Sequence, residues 1–81
     1  MNGFTPPIFR LVAKDNTPWF LVEVKSGSDR VLNSALAYFQ NQTKAAHAFQ
    51  VVSRLPFVAR DCFEHTAPLI VPAATFLSQL V

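Results

Sequence analysis

The chain has 81 residues, 51% of them apolar and 15% charged, and seven Lys or Arg against five Asp or Glu give a net charge of +2. That length holds one small domain, 1–81, and the apolar content excludes a disordered chain. The basic residues are scattered singly, so charge alone argues for neither nucleic acid nor an anionic membrane, and the single cysteine, Cys62, excludes an internal disulfide. A reducing, cytoplasmic setting is the expectation that follows.

Residues 1–7 end in Pro6-Pro7, which donate no backbone hydrogen bonds, and read as an extended lead-in without the layout of a signal peptide. Ile8-Phe9-Arg10-Leu11-Val12-Ala13 reads as a first strand, Lys14-Asp15-Asn16-Thr17 as a turn, and Trp19-Phe20-Leu21-Val22-Glu23-Val24-Lys25 as a second strand, antiparallel to the first. A three-residue loop sets Phe9 opposite Glu23, and a two-residue loop sets Ile8 there. Strict alternation along the second strand predicts Trp19, Leu21, Glu23 and Lys25 on one face and Phe20, Val22 and Val24 on the other.

Ser26-Gly27-Ser28 ends that strand, and Ser28 before Asp29 has the chemistry of a helix cap. The spacing of Leu32, Ala35, Leu36 and Phe39 predicts an amphipathic helix over 29–43, with Asn33, Ser34, Gln40 and Asn41 outward. Residues 47–52, with Phe49, Val51 and Val52, read as a third strand, which a right-handed crossover lays parallel to the second. Residues 53–66 are irregular, 68–71 predict a short fourth strand, and Phe76, Leu77 and Leu80 predict a terminal helix over 73–80. The segment 67–81 is interrupted by Pro68 and Pro72 and is too short to span a bilayer, so no membrane association is expected.

Two charged groups on one face of a central strand are costly to bury unless they pair or bind something, which makes Glu23 and Lys25 the candidate site. Glu23-Val24-Lys25 matches the Glu-X-Lys half of the motif used by nucleases of the PD-(D/E)XK superfamily. In that chemistry two carboxylates on neighbouring strands hold Mg²⁺, and the lysine steadies the attacking water and the charge on phosphate. The triplet alone is common, and the competing reading is a salt-bridged or solvated pair at a sheet end. The preceding strand offers no acid in either register, and Asp15 lies in the turn at the far end of the hairpin. His47, His65 and Cys62 lack metal-ligand spacing, and with Gly3 and Gly27 the only glycines there is no phosphate-cradling loop.

Several ordered blocks carry a resemblance: Pro18 to Lys25, Ala37-Tyr38-Phe39-Gln40, His47 to Val52, Asp61-Cys62-Phe63, and Val71-Pro72-Ala73-Ala74-Thr75-Phe76-Leu77-Ser78. Over residues 10–81 the chain resembles the C-terminal, nuclease-like domain of uncharacterised function attached to many prokaryotic AAA-type ATPases. The resemblance implies an α/β, restriction-endonuclease-like half-domain: a small mixed sheet built as β-hairpin, β-α-β crossover, short strand and C-terminal helix. Family members carry an acid in the slot that falls here on Phe9, so the metal pair is broken.

The leading expectation is a non-catalytic, nuclease-like remnant acting as an interaction or assembly module, needing no cofactor. The alternatives are a Mg²⁺-dependent nuclease, with Glu23 as metal ligand, Lys25 as phosphate and water stabiliser and the second carboxylate from elsewhere (Asp29, the C-terminal half or another subunit), or a nucleic-acid-binding module without chemistry. Loss of the family's first strand leaves the edge at 8–13 open, which predicts a homodimer formed by edge pairing or helix packing.

Overall fold

The computed structural model describes residues 9–27 and 31–80, so the lead-in at 1–7, Ile8 and the expected cap at Ser28 and Asp29 lie outside the described residues. Asp15 and Asn16 both adopt left-handed backbone, with φ of 55° and 64°. Positive φ at both central residues is the signature of a type I′ turn, whose twist matches that of the strands it joins. Here it joins β1 (Phe9–Lys14) to β2 (Thr17–Lys25), with Lys14 facing Thr17.

A two-residue turn alone would bring Ile8 opposite Glu23. The register instead slips between Val12 and Ala13: Ala13 faces Pro18, Val12 faces Phe20, and Trp19 is the extra residue. That bulge restores the pairing of Phe9 with Glu23. It also corrects the expectation of strict alternation. Trp19 joins Phe20 in the aromatic core, its ring 5.1 Å from Phe63, rather than sharing a face with Leu21 and Glu23. A bulge changes side-chain facing because it inserts one residue into a period of two.

Beyond β2 the chain forms α1 (Ser34–Thr43) and β3 (His47–Val52), then a 3₁₀ turn at Cys62–Glu64, β4 (Leu69–Pro72) and α2 (Ala73–Ser78). The result is a small α+β fold on one mixed sheet of order β1-β2-β3-β4, in which β1 is antiparallel to β2, and β2, β3 and β4 are parallel. The expected order of hairpin, crossover, short strand and terminal helix is present, with β4 shifted one residue and α2 ending two residues early.

The helix expected from residue 29 begins at Ser34. Asn33 is its cap: extended, with Oδ1 accepting from the Ala35 N–H. Its own N–H donates to Gln50 Oε1 at 2.8 Å, so 31–33 is held to β3 instead of entering the helix. Leu32 therefore lies before the helix and 38% exposed, outside the apolar stripe. Gln40, also expected outward, turns in and donates to Ala45 O and Thr66 O.

The two faces of the sheet differ. On the α1 face, Leu21 and Ala48 pack with Leu36, Ala45 and Phe9. On the other, Phe20, Phe49, Val51 and Val71 pack with Cys62 and Phe76, joined by Trp19 and Phe63. Thr75 on α2 fixes the irregular 53–61 segment over this second core, accepting from Val58 N–H and donating to Val58 O, each at 2.8 Å. Gln79 holds the next stretch through Cys62 N and Arg60 O. The β2–β3 and β3–β4 connections thus cross opposite faces of the sheet while stepping the same way along it, so they are of opposite hand.

Candidate functional site

Strand pairing sets one row of side chains across the sheet on the α1 face: Phe9, Glu23, Gln50 and Ile70. Glu23 is 2% exposed and Gln50 fully buried. Phe9, the slot in which the resemblance implies an acid, is half-buried and turns its ring toward Phe39, 4.9 Å away. Lys25 is half-buried two residues beyond Glu23, where the strand ends, and faces Val52 on β3.

Glu23 meets the residue that caps α1. Asn33 Nδ2 donates to both carboxylate oxygens, at 3.3 and 3.5 Å. The orientation of this amide follows from its other contact, since its oxygen is committed to the Ala35 N–H. These bonds are longer than the 2.7–2.9 Å of a strong charge-assisted pair, so the contact is a weak one.

Gln50 is better satisfied. Its Oε1 accepts from Asn33 N and its Nε2 donates to Val31 O, both at 2.8 Å. One side chain thus replaces a strand partner for the 31–33 backbone. Nearby, Ser53 N donates to Lys25 O, Arg54 N to Gly27 O, and Gly27 N to Ser53 Oγ, extending the β2–β3 pairing past the strand ends. Gly27 makes this bend with φ of 97°.

The sequence points to Glu23 and Lys25, and the structure places both on the α1 face at the exit of β2. It adds Gln50 and Asn33, which sequence reasoning passed over. Gln50 had a signal, a lone amide between Phe49 and Val51 within the apolar part of the strand; a buried polar side chain needs a partner.

A Mg²⁺ ion seeks oxygen donors from more than one group, usually with a second carboxylate. Glu23 instead faces an amide N–H₂, the Gln50 oxygen is engaged by backbone, and the flanking members of the row are Phe9 and Ile70. Among the described residues, no three His, Cys, Asp or Glu come together as a metal-binding group. Among the described residues, the row around Glu23 therefore offers the ion no second carboxylate.

His47, His65 and Cys62 lie apart from this row. His47 Nδ1 donates to His65 O at 2.6 Å, so the two histidines meet through ring and backbone. Cys62 is fully buried beneath the aromatic core, and burial pushes its thiol pKa up, away from a reactive thiolate. A shallow concavity of about 380 Å³ is lined by Ala37, Gln40, Asn41, Lys44 and Ala45 on the far half of α1. No helix among the described residues is long and apolar enough to cross a membrane. No family model, curated protein or solved structure matches the chain.

Proposed function

We propose that the chain is a non-catalytic interaction or assembly module, a nuclease-like remnant akin to the ATPase-associated domain that its sequence resembles. The observation that carries this reading is the row Phe9–Glu23–Gln50–Ile70. It holds one carboxylate, and that carboxylate is engaged by the helix cap above it. Its polar neighbours, Gln50 and Asn33, hold backbone groups. The chemistry of the cluster is that of a fastener joining the β2–α1 connection to the sheet. A cytoplasmic home for the module is the default for a chain with a single cysteine, Cys62.

The test is a cleavage assay on single- and double-stranded DNA with Mg²⁺ or Mn²⁺. No cleavage above a metal-free control is expected from the purified chain. Divalent-dependent cleavage that disappears in Glu23→Gln would overturn the proposal and restore Glu23 and Lys25 as catalytic residues.

A further inference from the structure

We propose that the outer edge of β1 is a docking strand for an extended peptide that alternates acidic and apolar residues. The inference rests on the reading of the chain as a binding module and names its partner by chemistry.

An edge strand presents backbone N–H and C=O groups that a further strand can satisfy, and peptides that bind by strand addition take their affinity from these and their specificity from alternate side chains. Among the described residues β1 has one strand neighbour, β2, along its six residues. The bulge that often blunts an edge lies on β2, so β1 itself runs without an insertion. The other edge, β4, has four residues and ends in Pro72, which has no N–H to offer.

The side chains of β1 define what can lie beside it. On the α1 face are Phe9, Leu11 and Ala13, with Leu11 46% exposed. Phe39 reaches across to Phe9, and Tyr38 lies against Phe39 with ring centroids 5.2 Å apart. Tyr38 is 59% exposed, so this face offers an aromatic shelf to apolar side chains of an added strand. On the opposite face stand Arg10 and Lys14, both exposed and separated by Val12. Lys14 is held in place, its Nζ 5.3 Å from the Trp19 ring centroid. No acid lies in the strand; Asp15 follows in the turn.

This charge pattern selects the occupant. Pairing of β1 with a second copy in a two-fold register would gather two Arg10 and two Lys14 side chains on one face with no acid among them, and like charges across strands repel. A strand with Asp or Glu at every second position sets acids against both cations on one face and its apolar residues against the shelf on the other.

The probe is a fluorescein-labelled octapeptide of alternating glutamate and valine, titrated with the full chain at low ionic strength and read by fluorescence anisotropy. Saturable binding is expected, weakened about tenfold or more by N-methylation of alternate peptide amides, and by a similar factor in the double variant Arg10→Glu/Lys14→Glu. The double variant should prefer the peptide with lysine in place of glutamate. Both positions are exposed, and the fold of the variant is to be checked by circular dichroism. Absence of binding, equal affinity for the N-methylated peptide, or indifference to the charge reversal would overturn the proposal. So would a dimer of the free chain by sedimentation at micromolar concentration whose β1 amides are protected from hydrogen exchange, since the occupant would then be a second copy. The DNA cleavage assay judges the module reading separately, because peptide binding at β1 does not involve Glu23.

Discussion

Glu23 and Gln50 are neighbours in register, equally hidden from solvent, and opposite in what they contribute to stability. Gln50 satisfies two backbone groups of the β2–α1 connection at 2.8 Å each. Replacing it with Leu keeps the bulk and removes the acceptor of Asn33 N, at about 1–3 kcal/mol for a group left unsatisfied. Glu23 places a charge in a buried row and gains two long bonds for it. In Glu23→Gln the side-chain carbonyl still accepts from Asn33, and the lost cost of burying a charge offsets the amide N–H₂ left facing the Asn33 amide. Urea denaturation should therefore show Gln50→Leu destabilised by about 1–3 kcal/mol and Glu23→Gln within about 1 kcal/mol of the parent. The reverse ranking would mean that Glu23 carries the connection. Cys62 contributes a pH dependence. Its thiol pKa is raised by burial, so the folded state keeps its proton where the unfolded chain loses it. Its contribution is complete below the ordinary thiol pKa of about 8.5 and declines as pH rises above it. The stability difference between the parent and Cys62→Ala, measured in urea from neutral to alkaline pH, should shrink with rising pH.

At the scale of elements, left-handed residues mark where the chain changes direction. Besides Asp15 and Asn16, Lys44 ends α1 with φ of 63°, its N–H bonded to Gln40 O. This position after a helix ordinarily favours glycine, because a Cβ there is strained by about 1–2 kcal/mol. Lys44→Gly should raise stability by up to about 1 kcal/mol once the greater freedom of glycine in the unfolded chain is counted, whereas Lys44→Ala should give no such gain. Paired thermal melts of the two variants separate backbone strain from the loss of the lysine side chain. These reversals explain which elements could be read from sequence. β3 was legible from His47 to Val52, because Phe49, Val51 and Val52 favour a strand and Ser53 and Arg54 close it. The Asp15-Asn16 turn was legible from residue chemistry. The register was not: Phe9 reaches Glu23 through a two-residue turn and a bulge acting together, and only cross-strand pairing reveals that the two slips cancel. The start of α1 was hidden for a related reason. Asn33 is the cap of α1 and is held by Gln50, a residue 17 positions away, while local spacing ran the helix back to 29. In the candidate site the same division holds: Glu23 and Lys25 stood out by type, and Asn33 and Gln50 became members only when the crossover brought them in.

The whole molecule is one sheet shared by two unequal cores. Phe49 is the centre of the larger, fully buried, its ring 5.2 Å from both Phe63 and Phe76 and 5.7 Å from Phe20. The smaller core under α1 is built from Leu21, Leu36, Ala45 and Ala48. Both use β2 and β3, so neither can lose its order without disturbing strands that the other needs. A folding free energy of about 0.05–0.15 kcal/mol per residue gives a chain of 81 residues roughly 4–12 kcal/mol in total. Truncating a buried phenylalanine costs about 3–5 kcal/mol, so Phe49→Ala removes much of that sum and should unfold both faces, not one. Trp19, the single tryptophan, packs on Phe63 in the larger core and reports on it by fluorescence, while far-ultraviolet circular dichroism reports on the sheet and α1. Urea titrations followed by the two signals should superimpose in the parent, and a folded but milder variant, Phe49→Leu, should move both midpoints down together. A tryptophan transition that precedes loss of the dichroism signal would show the cores to be separable, and the sheet would then be a platform on which the aromatic face folds independently.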